Sequence, residues 1–240
     1  MTSARLQTVP YAAGRLTDIH LPAPGNAGPA PVVLLWHGRG PNERDVLRPL
    51  AREAAGLGLL VLVPDWSAEQ PDGGSAELLA SLAQARRIAA GYDGDPTRLV
   101  LAGWSMGGRE AIAVATHPDT PAELRPVAAV GIASRYSTEA VTTGEAPLDH
   151  LAAGPSPVPL RLVHGTADET VDIEHTRQLS AALTKQMSAV RTLELPTDHA
   201  GVVMTTYRPE ARRCLPATDA GTLAAGRRTA AVLAEAAGLS

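Results

Sequence analysis

The stretch "RLVLAGWSMGGREAIAVA", Arg98 to Ala115, decides the fold of this 240-residue chain. It runs from a continuous apolar strand pattern into two glycines set around a serine, then without a break into a helix pattern. Gly103-Trp104-Ser105-Met106-Gly107 matches G-x-S-x-G, in which the serine occupies a strained turn between strand and helix. A residue held in a sparsely populated conformation brings neighbouring backbone close, so positions two before and two after it must lack side-chain bulk. What such a corner offers is a serine hydroxyl exposed at the sheet edge, with the positive end of the next helix beneath it.

Working outward, "VVLLW", "LLVLVP", "LVLAG", "VAAVGIA" and "PLRLVHG" are short continuous apolar runs, the pattern of strands buried on both faces of a parallel sheet. Helical periodicity separates most of them: Ser75 to Ala90 carries Leu78, Leu82, Ala85 and Ala89 as one apolar stripe. Further helices are expected at Glu43 to Ala55, Met106 to Ala115, Asp172 to Leu183 and Thr222 to Ala237. At the N-terminus, "RLQTVPYA" and "GRLTDIHL" read as an antiparallel pair, followed by the loop "PAPGNAGPAP". Strands alternating with helices predict one doubly wound α/β domain over residues 1–240, a mostly parallel twisted sheet with helices on both faces. Ser134 to Pro157, broken by glycines and prolines, is expected to form a loop or a small cap.

The charge balance, 21 basic against 25 acidic residues for a net −4, has no run of like charge that would track phosphates, which argues against nucleic acid as a partner. The single cysteine, Cys214, excludes an internal disulfide and reads as a bystander thiol; the seven histidines show no metal-ligand spacing, so no metal or other cofactor is expected. No segment has the apolar length of a membrane span, and "MTSARLQTVPYAAGRL" has no signal-peptide core, so a cytoplasmic protein with no membrane partner is expected.

A serine hydroxyl needs a base within hydrogen-bond reach and a third group to orient that base. "PLRLVHGTADETVD" supplies Asp168 in the loop after a strand end, and "VRTLELPTDHAGVV" supplies His199 in the loop after another. Glu169 and Asp172 compete with Asp168, although Asp172 also reads as the N-cap of the next helix. His37 and His164 each stand before a glycine at a strand end, where a histidine most often satisfies loop carbonyls. His117 and His175 fall at or within helices and read as surface residues, His150 lies in the unpatterned segment, and Asp198 reads as a turn residue.

With these residues in view, the chain resembles the α/β-hydrolase superfamily, whose chain order is that of Ser105, Asp168 and His199. Within it the sequence is similar to the compact esterases near the dienelactone hydrolases, which carry a cysteine where this chain has Ser105. His37-Gly38-Arg39-Gly40 matches the H-G-x-G element of that superfamily, and the resemblance implies an oxyanion hole built from the backbone N–H groups of Arg39 and Met106. Gly38 and Gly40 then border the substrate, and Trp36, Trp66 and Trp104, all at carboxyl ends of expected strands, are read as an apolar wall beside it. The implied function is hydrolysis of small to medium carboxylic esters through an acyl-enzyme on Ser105. The alternatives are a thioesterase or acyltransferase on the same triad, or a non-catalytic ligand-binding protein on the same fold.

Overall fold

The computed structural model describes residues 5–23, 28–151 and 154–239. The first four residues of the N-terminal stretch, residues 24–27 of the Pro-, Gly- and Ala-rich loop, residues 152–153 of the 134–157 segment and residue 240 lie outside the described residues.

The central sheet has eight strands: β1 (Leu6–Ala12), β2 (Arg15–His20), β3 (Ala30–Trp36), β4 (Leu60–Pro64), β5 (Gly94–Trp104), β6 (Ala128–Ile132), β7 (Leu160–Gly165) and β8 (Val190–Leu195). Their order is β1-β2-β4-β3-β5-β6-β7-β8; β1 and β2 pair antiparallel, β2 meets β4 antiparallel, and every later pairing is parallel. The continuous apolar runs are the central strands: every residue of β3, β4 and β6 is buried. Among the described residues six helices accompany them: α1 (Arg48–Gly56), α2 (Ser75–Ala90), α3 (Met106–Thr116), α4 (Pro147–His150), α5 (Glu174–Lys185) and α6 (Ala220–Ala236).

Strand alternation divides the core into two layers. Val33 and Leu35 of β3, Val61 and Val63 of β4, and Val100, Ala102 and Trp104 of β5 face α1 and α6. Val32, Leu34 and Trp36, with Leu60, Leu62, Leu99 and Leu101, face α2 and the apolar side of α3. Farther along, Leu160 and Leu162 of β7 meet Leu179 and Leu183 of α5 and Ile112 of α3.

Two boundaries differ from expectation. Helix α1 begins at Arg48 rather than Glu43, with Pro49 in its first turn, where a missing N–H costs nothing. Beyond β8 the chain forms a 3-10 turn at Gly201–Val203 and a hairpin of β9 (Thr205–Arg208) with β10 (Arg213–Pro216), none of which was expected. The 134–157 segment contains one four-residue helix, α4, and among the described residues no helix is long and apolar enough to cross a membrane.

Candidate active site

The corner after β5 has the geometry its glycines require. Ser105 sits at φ 55, ψ −124, a conformation L-residues avoid. A Cβ at Gly103 would lie 2.1 Å from the Gly107 carbonyl oxygen, and one at Gly107 would lie 2.3 Å from that of His37. Only glycine permits the chain to double back this closely. Ser105 N–H donates to the Ile132 carbonyl at 2.9 Å, carrying the sheet pairing one residue past β5. Its own carbonyl accepts from Gly108 N–H at 3.0 Å and from the Ser134 hydroxyl at 2.6 Å, so the backbone around the hydroxyl is held from both sides.

The loops that carry Asp168 and His199 are laced together before either side chain is counted. Thr166 N–H donates to the Leu195 carbonyl at 2.7 Å and Ala167 N–H to that of Thr197 at 3.0 Å. A Cβ on Gly165 would lie 2.3 Å from the Thr197 oxygen, so this glycine allows the close approach. Across the seam, His199 Nδ1 meets Asp168 Oδ2 at 2.7 Å, which leaves Nε2 to face away from the carboxylate. The other oxygen, Oδ1, accepts the N–H groups of Thr170 at 2.9 Å and Val171 at 2.8 Å. Asp172, the rival acid, accepts from Glu174 N–H at 2.9 Å in a turn leading into α5, one residue before the N-cap Ile173 and not at the N-cap its position suggested.

A further donor, assigned by sequence only to loop carbonyls, reaches the acid. The fully buried His164 has Nε2 3.2 Å from Asp168 Oδ2 and 2.9 Å from the Val171 carbonyl. Nε2 faces two acceptors and therefore carries the proton, and Nδ1 accepts from the Thr176 hydroxyl at 2.7 Å. Burial pushes the Asp168 carboxyl up, but hydrogen bonds from His164, His199 and Val171, together with the His199 charge, outweigh it and hold the group well below the ordinary carboxylate range. His164 thus helps fix the orientation of the Asp168 carboxylate.

The loop after β3 is organised by His37, whose Nδ1 lies 2.9 Å from the Gly38 carbonyl and whose Nε2 accepts the N–H groups of Trp66 at 3.2 Å and Glu43 at 3.3 Å. Burial lowers its pKa to about 3, so the ring is neutral and its two nitrogens keep distinct roles. The Trp104 ring would lie 3.2 Å from a Cβ on Gly38, and the Glu43 carboxyl would overlap one on Gly40. Both glycines therefore lie where side chains from other segments close over the loop. Trp104 also donates from Nε1 to the His199 carbonyl at 2.8 Å, with the two rings 5.0 Å apart, so it joins the strand end before Ser105, the Arg39 loop and the His199 loop.

A cavity of about 570 Å³ opens beside these groups, lined by Arg39, Gly40, Trp104 and His199 and, from the unexpected hairpin, by Tyr207 and Cys214. Of the three tryptophans, only Trp104 reaches it. Trp36 pairs in register with Gly103 and so points to the sheet face opposite Trp104, fully buried, with its indole N–H donating to Ser81 Oγ at 2.9 Å. Trp66 is equally buried and stacks on His37. The expected three-tryptophan wall is corrected to one, because neighbouring strand positions face opposite sides of the sheet. Cys214, expected to be a bystander, borders the cavity as a half-buried thiol whose pKa is raised by burial.

The sheet order and its flanking helices are those of the α/β-hydrolase fold. Solved structures of Thermogutta terrifontis esterase 2, from a Planctomycetes species, superpose on nearly the whole chain. The apo form aligns at TM-score 0.73 and 19% identity over 98% of this chain and 94% of that one. The butyrate-bound form aligns at TM-score 0.73 and 19% identity over 98% and 93%, and the form phosphorylated by paraoxon at TM-score 0.73 and 20% identity over the same shares. No protein-family profile matches the sequence, and no curated protein matches it. At such identity the likeness is one of fold, and the chain has the α/β-hydrolase fold.

Proposed function

We propose that this chain is a serine hydrolase of carboxylic esters of small to medium size, acting through an acyl-enzyme on Ser105. The observation that carries this reading is the His199–Asp168 hydrogen bond of 2.7 Å, on loops laced together and tied by the Trp104 indole N–H to the strand end where Ser105 is held at positive φ. In the proposed reaction Ser105 Oγ attacks the ester carbonyl while His199 Nε2 takes its proton, and Asp168 holds the imidazole in the tautomer that leaves Nε2 free. The carbonyl oxygen, now negative, is received by the N–H groups of Arg39 and Met106; Met106 opens α3 and has no carbonyl within the helix to bond to. His199 returns the proton to the departing alkoxide, the alcohol leaves, and water activated by the same imidazole releases the acid.

Esterase 2 of Thermogutta terrifontis, similar in fold, has forms with bound butyrate and propionate and forms phosphorylated by paraoxon, which supports short acyl chains and a nucleophilic serine here as well. The cavity favours the same size range: it is bordered by one tryptophan and several charged side chains, and among the described residues of the 134–157 segment a single turn of helix is available as a cover. Acetyl to roughly hexanoyl esters are therefore expected to be preferred over palmitoyl esters, without a rate jump when substrate forms micelles. Specificity constants across a chain-length series, measured below and above the micelle threshold, test this. A maximum at long chains or interfacial activation contradicts the open site, and failure of a fluorophosphonate to label Ser105 contradicts the reaction itself.

A further inference from the structure

Far from the elbow, at the other end of α3, three side chains that nothing in the esterase reading uses converge on one point. His117 caps the C-terminus of α3, His150 ends α4, and Glu145 lies in the turn between α4 and the loop preceding it. The two imidazoles meet edge to face with centroids 4.7 Å apart. Glu145 Oε2 is 3.7 Å from His150 Nε2 and 4.0 Å from His117 Nε2, and the three candidate ligand atoms all lie within 4.8 Å of one another. We propose that this cluster is a divalent metal site, suited to zinc or another ion of similar softness, which clamps the 134–157 segment to the end of the nucleophile-bearing helix.

The buried histidine carries the inference. His150 is only 4% exposed, and its Nε2 has no hydrogen-bond partner. Its other nitrogen is committed: Nδ1 lies 3.0 Å from Thr116 Oγ1, and the Thr116 hydroxyl already donates to the Ile112 carbonyl at 2.8 Å. The hydroxyl proton being spent, Nδ1 must be the donor, which leaves the lone pair of a neutral imidazole on Nε2. That lone pair faces a carboxylate oxygen across 3.7 Å, too far for a direct hydrogen bond and, without a proton between them, mutually repulsive. A cation in the gap satisfies both. The Thr116 contact is also the kind of outer-shell hydrogen bond that fixes the tautomer and orientation of a metal-ligating histidine.

Two nitrogens and one carboxylate oxygen, with a fourth position open to water, form a donor set that zinc accepts and that magnesium or calcium, which prefer oxygen, do not. Ligand bonds of about 2.1 Å in tetrahedral geometry need edges of roughly 3.4 Å, so the triangle must contract by several tenths of an ångström, more along its longest edge. The movable members can supply this. The Glu145 side chain is 60% exposed while its backbone carbonyl is pinned by Ala140 N–H at 3.0 Å, and His117 is the C-cap of its helix, with a partly exposed side chain. His117 Nδ1 accepts the Asp119 N–H at 3.2 Å, which places its proton on Nε2; coordination through Nε2 moves that proton to Nδ1 and hands the exposed Asp119 amide to water. Helix α3 separates the cluster from Ser105 by eleven residues, roughly 17 Å, so the ion acts on architecture and not on the reacting ester.

The test uses the full chain stripped by a chelator and titrated with Zn²⁺ alone, followed by calorimetry and by thermal melting. One equivalent should bind and raise the melting temperature. His117→Gln and Glu145→Gln, both outside the tightly packed core, should melt like the metal-free parent yet bind Zn²⁺ at least about tenfold more weakly and lose the thermal shift. His150→Gln, buried, serves as a third variant only if its melting shows it to be folded. Zinc uptake unchanged in both His117→Gln and Glu145→Gln, no uptake by the parent at micromolar zinc, or an equal shift with Mg²⁺ or Ca²⁺ would overturn the proposal.

Discussion

At the scale of single residues the strain at Ser105 and the donors around Asp168 yield separable expectations. Ser105→Ala should abolish ester turnover and fluorophosphonate labelling while the chain stays folded; near-native turnover would remove Ser105 from its role. Ser105→Gly should be equally inactive yet more stable by about 1 kcal/mol, because relieving a positive-φ residue outweighs the entropy that glycine adds to the unfolded chain. Urea unfolding of the two variants side by side reads the difference. Asp168→Asn should lower kcat by orders of magnitude, since an amide facing His199 Nδ1 and His164 Nε2 disturbs the tautomer that leaves the base free. Asp172→Asn, which touches only the first turn of α5, should change stability by less than about 1 kcal/mol and leave kcat nearly intact, and the reverse ranking would move the acid to Asp172.

At the scale of elements the β5–α3 corner tolerates no added carbon. The Cβ of Gly103→Ala would meet backbone of the helix it precedes at 2.1 Å, and backbone cannot rotate away as a long side chain can. Chemical denaturation should show a loss of about 3 kcal/mol or more, with kcat falling further than stability alone explains, because the serine rides on the displaced turn. Gly14→Ala makes a useful contrast: no atom lies within 4 Å of its Cβ position, so only the positive φ of the β1–β2 turn is strained. The β9–β10 hairpin is the other element with consequences, since it brings Tyr207 and Cys214 to the cavity from a region with no strong strand pattern.

For the whole molecule, two buried histidines tie stability to pH. Burial lowers His20 to about 4 and His37 to about 3; beside His20, Asp18 raises the value while Arg48 and Arg52 lower it further. Above the ordinary histidine value of about 6.5 both rings are neutral folded or unfolded, and no stability depends on them. Below it the unfolded chain takes up protons that the native state refuses, so stability falls as pH drops toward 4. Near pH 5 nearly two extra protons in the unfolded state imply a slope on the order of 2 to 3 kcal/mol per pH unit. His20→Leu should remove about half of that slope, measured as urea midpoints between pH 7 and 4.5, and an unchanged slope would mean another group titrates. Asp168 acts in the same direction at lower pH: its depressed carboxyl contributes stability above the ordinary carboxylate value, and that contribution is lost as pH falls through the folded value.

Much of this was legible in the chain itself. The elbow could be read because Gly103 and Gly107 stand two positions either side of the serine, with Gly103 pressed against the Gly107 backbone, and the parallel sheet because strands buried on both faces must be apolar throughout. The pairing of Asp168 with His199 could be anticipated because each stands in the loop directly after a strand end. What only the tertiary structure decided depends on how distant segments are brought into register. Trp36 and Trp104 share a level but face opposite sides, since Trp36 pairs with Gly103 and successive residues alternate across a sheet. His164 reaches Asp168 because the loop after β7 turns back on its own strand end. His117, Glu145 and His150 carry no spacing pattern, because their meeting depends on where α4 docks against α3, a matter of side-chain packing and not of periodicity.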